Sequence, residues 1–158
     1  MIPQISTPTA DLAQTYAPDT ASGIVTVELG LSPDGDLGAV AGIDRLAQDV
    51  TKFLYTPVGA DPMNPDYGTA LWGDIGQPQV ADPAVYAAAL DASLADFAAR
   101  QEADAASGLL ATDEQLDHWE QTGIALGGGT LTIGLRLFAR SGEETTAAAA
   151  VAVATTSA

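Results

Sequence analysis

Few residues of this chain could do chemistry. In 158 residues there is one histidine, no cysteine, and 21 carboxylates against 5 cations. His118 stands in Asp117-His118-Trp119-Glu120. A catalytic histidine needs an orienting partner and a nucleophile or substrate beside it. No serine sits in a Gly-x-Ser-x-Gly elbow, and the lack of cysteine excludes a thiol nucleophile and thiolate metal sites. His118 therefore reads as a surface or helix-end residue. Paired carboxylates are the other option, since glycoside hydrolysis needs two facing acids. Asp66, Asp74 and Glu120 are the acids that could supply such a pair. Asp66 and Asp74 read more simply as turn-capping residues that accept from nearby backbone N–H groups.

Metal and phosphate chemistry find no better support. "PDGD" at 33–36 places two carboxylates around a glycine but lacks the other ligand positions of a calcium loop, and reads as a solvated turn. "LGGGT" at 126–130 matches no phosphate-cradling pattern; a hairpin turn explains its glycines. The residues call for no catalytic group, no cofactor and no metal.

The formal charge of −16 repels phosphate, so nucleic acid and anionic membrane surfaces are poor partners. It suits a highly soluble protein, a saline environment, or a subunit that meets basic partners. The first residues, "MIPQISTPTADLAQTYAPD", have no basic region followed by an apolar one, and no segment is long enough to span a membrane. A protein made and used inside a cell, or assembled into a particle there, is expected.

These residues need elements to position them. Residues 1–22, rich in Pro, Thr, Ser and Ala, read as an extended N-terminal arm. "GIVTVELGL" at 23–31 alternates as a strand, and "SPDGD" at 32–36 as a turn. Ile43, Leu46, Ala47, Val50, Phe53 and Leu54 fall at helical spacing, in a helix that must stop before Pro57. A second helix has Asp82 as its cap, Pro83 in the first turn, Gly108 at its end and Tyr86, Leu90, Leu94 and Phe97 as its stripe. Thr112 and Gln115 have capping-box spacing, which predicts a short helical turn. "TGIAL" and "TLTIGLRLFAR", joined through Gly127–Gly129, then read as a hairpin with one buried face. Residues 141–158 are of low complexity, either a frayed tail or a strand that pairs only with a partner. With 47% hydrophobic residues, a packed domain over 23–140 is expected. The fold class is α+β: two main helices on a small, mostly antiparallel sheet, with extended arms.

One stretch stands apart. "TPVGADPMNPDYGTALWGDIGQP" at 56–78 is dense in turn formers yet carries Met63, Tyr67, Leu71, Trp72 and Ile75. The helix that runs into it, then Leu54, Thr56, Pro57, Gly59, Asn64, Pro65, Asp66, Tyr67, Gly68 and Leu71, resemble the tail baseplate wedge family of phages and contractile injection systems. That family is also called the sheath initiator, gpW-like or "lysozyme-like" baseplate family. The resemblance covers about residues 36 to 140. It implies a small structural α/β domain without enzymatic activity, placed around the tail tube or hub. Its partners would be wedge subunits and, in contractile tails, the first sheath ring. A Glu-Pro-Arg motif typical of contractile members is missing from "ADFAARQEADAASG", which argues against the sheath-contacting role and leaves open a non-contractile tail or a diverged contractile one.

The resemblance further implies several copies in a ring, a place in the virion tail baseplate, and synthesis in the host cytoplasm. The expected interface residues are Pro57, Gly59, Asn64, Pro65, Asp66, Tyr67, Gly68, Leu71 and Trp72 on the loop. Arg136, Phe138 and Arg140 join them at one end of the hairpin, with Phe138 facing outward between two arginines. The competing reading is the small cell-wall hydrolase of the family's older label, using two of Asp66, Asp74 and Glu120. A third is a stand-alone binding module that uses its acidic surface.

Overall fold

The computed structural model describes residues 11–12, 14–19, 24–30, 38–71 and 82–152. The element order is β1 (Asp11–Leu12), β2 (Gln14–Asp19), β3 (Ile24–Leu29), β4 (Ala39–Val40), α1 (Gly42–Tyr55), α2 (Pro83–Ala106), β5 (Leu116–Gly127), β6 (Thr130–Ala139) and β7 (Glu144–Ala152). Among the described residues, two long helices and a three-stranded antiparallel sheet make a small α+β fold.

Helix α1 forms because its apolar residues share one face. Leu46, Val50, Phe53 and Leu54 are buried, while Asp44 and Lys52 remain exposed. It ends at Thr56, whose N–H donates to the Phe53 carbonyl and whose hydroxyl donates to the Lys52 carbonyl. Pro57 follows and brings no N–H to continue the ladder. Helix α2 starts as its sequence dictates. Pro83 occupies the first turn, and Asp82 Oδ1 accepts from the Ala84 N–H at 2.9 Å. Tyr86, Leu90, Leu94 and Phe97 are buried along it.

The sheet order is β5-β6-β7, with β6 central. Leu131, Ile133, Leu135 and Leu137 alternate with exposed Thr132 and Arg136, so the sheet has one buried face. Helix α1 packs against β7 and α2 against β5, covering that face. The β5–β6 turn has φ +59° at Gly128 and +76° at Gly129, two positive values that match the twist of the flanking strands. Strand β5 carries register shifts at 116–118 and 121–123. Each inserts one residue and rephases the strand. Leu116, Trp119, Gln121, Ile124 and Leu126 can therefore all lie opposite the inward-facing residues of β6, although their spacing is not a simple alternation.

Three expectations need correction. Residues 112–115 form a hydrogen-bonded turn, not a helical one: the Glu114 N–H donates to the Ala111 carbonyl, and the Glu114 and Gln115 side chains are buried. Strand β5 begins at Leu116, so His118 is an exposed surface residue as expected, but on a strand and not at a helix end. Residues 144–152 pair with β6 in register over their whole length, so this strand needs no partner chain. Ala147 and Ala149 face the core, and small side chains there let α1 lie close. The folded unit also reaches into the expected N-terminal arm. Strand β2 pairs antiparallel with β3, β1 with β4, and the Gln14 N–H donates to Gln48 Oε1 of α1 at 2.7 Å.

Candidate interaction surface

The 56–71 connection is braced at every turn. The Ala60 N–H donates to the Pro57 carbonyl, the Asn64 N–H to the Asp61 carbonyl, and the Tyr67 N–H to the Asn64 carbonyl. Asp61 Oδ1 also accepts from the Met63 N–H at 2.9 Å, which closes a side-chain turn. The two ends are stitched together: the Thr69 N–H donates to the Thr56 carbonyl at 2.8 Å, and the Val58 N–H to the Thr69 carbonyl at 3.2 Å. At Gly68 φ is +115°, and a Cβ there would lie 2.4 Å from the Thr56 carbonyl oxygen. Only glycine fits this crossing.

The base of the loop is fastened to both helices. Tyr67 meets Phe53 edge-on with ring centroids 5.5 Å apart, and Phe53 meets Phe97 of α2 at 5.1 Å. Thr69 is fully buried; its hydroxyl lies 3.1 Å from that of Ser93 and accepts from the Leu71 N–H. The Arg100 guanidinium donates to the Asp66 carbonyl at 2.7 Å.

The expected interface residues therefore divide. Leu71 belongs to the chain's own core, and Gly68 and Tyr67 serve its packing. Gly59, Asn64, Pro65 and Asp66 are exposed and Pro57 is half-buried. Trp72, Asp74 and Ile75 lie outside the described residues. The tip is the open part: Met63 is 93% exposed and Val58 52%.

Beside the loop runs a groove of about 650 Å³, floored by Tyr67 and Phe97 and walled by α1 and α2. Arg45, Lys52 and Arg100 line it, three of the chain's five cations, facing Asp49, Asp61 and Asp104. Sequence periodicity gave no warning of this gathering, because these residues lie on the polar faces of their helices. One end of the groove rests on a buried polar hub. Glu114, 2% exposed, accepts from the Gly42 N–H, from Arg45 Nη1 at 3.2 Å and from the Ala111 N–H. Gln101 donates to the Glu114 carbonyl and accepts from the Leu116 N–H.

On the far side of the sheet, the hairpin end is partly self-satisfied. Phe138 is half-buried beneath His118, with ring centroids 4.2 Å apart and planes 8° from parallel. Asp117 holds His118 Nδ1 at 2.7 Å. Arg136 reaches Glu120 at 3.5 Å, and Arg140 reaches Glu102 at 2.7 Å. Glu120 thus lies on the open face of the sheet, whereas Asp66 lies on a loop docked to the helix layer. Among the described residues, no group of three or more His, Asp or Glu could hold a metal ion. No described helix is long and apolar enough to cross a membrane.

No protein-family model and no curated protein matches the sequence. Among solved structures, the fold is similar to that of a Geobacter sulfurreducens protein provisionally named a tail lysozyme. The TM-score is 0.50 and the identity 14%, over 72% of this chain and 93% of that one. The two share a fold.

Proposed function

We propose that the chain is a non-enzymatic structural subunit of the tail baseplate of a phage or phage-like particle. It is made in the host cytoplasm and present in several copies around the tube or hub. It joins neighbouring baseplate subunits, and sheath subunits where the tail contracts. The observation that carries this reading is the fold shared with a tail-named protein over nearly that protein's whole length. The helix-to-loop sequence at 42–71, which resembles the baseplate wedge family, points the same way.

The non-enzymatic part has separate support. A glycosidase pair must flank one bond with its carboxyls about 5–10 Å apart. Asp66 lies on the loop docked to the helix layer and Glu120 on the open face of the sheet, beside Arg136, which does not favour these two as a pair; Asp74 lies outside the described residues.

Deleting the gene should abolish complete tails in micrographs of the particles, and neighbouring tube, hub and wedge genes would agree. A copy with Asp66, Asp74 and Glu120 all changed to Ala should restore tail assembly. Normal tails after deletion would sink the structural reading. Restored tails without cell-wall cleavage would favour the hydrolase.

A further inference from the structure

We infer that the 57–66 loop is a preformed plug whose Met63 side chain enters an apolar socket, rimmed by Lys or Arg, on a different protein. Within ten residues, Val58, Ala60, Pro62, Met63 and Pro65 are all exposed, and Met63 is 93% exposed. A single exposed methionine on a surface is ordinary. This one is carried by a segment whose turns are closed by hydrogen bonds from Pro57 to Tyr67 and whose flank is pinned by Arg100. Binding such a tip costs little ordering entropy, because the backbone is already fixed. Methionine also adapts its shape to an irregular pocket.

Charge selects the partner. Asp61 and Asp66 flank the tip, and although Arg45, Lys52 and Arg100 line the groove behind it, the chain as a whole carries −16, so a cationic rim is attracted at long range and an acidic one repelled. The same repulsion disfavours a second copy of this chain as the occupant. The inference rests on reading the loop as an interface, and does not depend on which particle contains it.

Met1 and Met63 are the only methionines, so Met63 can be followed specifically. The full chain, carrying photo-methionine, is irradiated in the cells that assemble it, and the cross-linked residues are mapped. Cross-links from Met63 should reach apolar residues of one other protein, with Lys or Arg close by. Met63→Asp should lower the yield of that complex by about tenfold or more, Met63→Leu should retain it, and Asp61→Asn with Asp66→Asn should weaken it by about threefold to tenfold. Since the side chain is exposed, the thermal midpoint of Met63→Asp should stay within about 2 °C of the parent. Cross-links to a second copy, cross-links to an acidic surface, or no cross-link from Met63 would overturn the plug. A mapped basic-rimmed socket on a protein absent from tail particles would keep the plug and overturn the baseplate reading instead.

Discussion

The connections on either side of α2 solve the same problem by opposite means. The 56–71 loop holds its shape mainly through its backbone. Turn hydrogen bonds, two prolines at turn positions and the close crossing at Gly68 define the path, and most of its side chains remain exposed. The 107–115 connection holds its shape through side chains. Glu114 and Gln115 turn inward, Gln101 bridges to β5, and Gln115 donates to the Leu110 carbonyl. A backbone-defined loop leaves its side chains free for contact. A side-chain-defined one commits particular side chains, here Glu114 and Gln115, to the fold, while Leu109 nearby stays 55% exposed.

That contrast can be broken from either side. The largest effect should come from Glu114→Ala, which removes a buried carboxylate from the Gly42 and Ala111 N–H groups and from Arg45. About 3–5 kcal/mol of unfolding free energy should be lost, measured by urea titration. A loss under about 1 kcal/mol would mean that water replaces the carboxylate and the hub is not structural. Gly68→Ala comes next. A Cβ 2.4 Å from the Thr56 carbonyl oxygen, at a φ of +115°, should cost about 2–3 kcal/mol. The smallest effect on stability should belong to Arg136→Glu with Arg140→Glu. Both ion pairs are exposed, so unfolding free energy should change by under about 1 kcal/mol while assembly into particles fails. Normal assembly of that double variant would remove the hairpin end from the contact surface.

The same contrast explains what was legible in the sequence. Both helices were, because Leu46, Val50, Phe53 and Leu54 in one and Tyr86, Leu90, Leu94 and Phe97 in the other repeat at helical spacing, and Asp82-Pro83 and Pro57 punctuate them. So was β6, whose alternation is unbroken. Strand β5 was only half legible, since two bulges shift its inward residues out of period. Strand β7 was hidden by its composition: a run of Ala, Thr and Val has too little hydrophobic contrast to declare a face. The loop's turns could be read from Pro and Gly, but which of its apolar residues faced inward could not. Leu71 and Met63 differ by tertiary packing alone. The groove's three cations were unreadable for the same reason, since nothing local ties Arg45 and Lys52 on α1 to Arg100 on α2.

The hydrogen bond from the Ala150 N–H to the Tyr55 hydroxyl joins groups 95 residues apart, at the end of α1 and on β7. Closing so long a loop is entropically costly before any contact rewards it, which slows the search for the native arrangement. During synthesis α1 is complete long before the strand that covers it exists. Leu46, Val50 and Phe53 must then wait in water or under a chaperone until β7 arrives. Nascent chains cut short before residue 144 should therefore aggregate or be degraded rather than persist as half-folded domains. In such a molecule quality control is set by its least conspicuous strand.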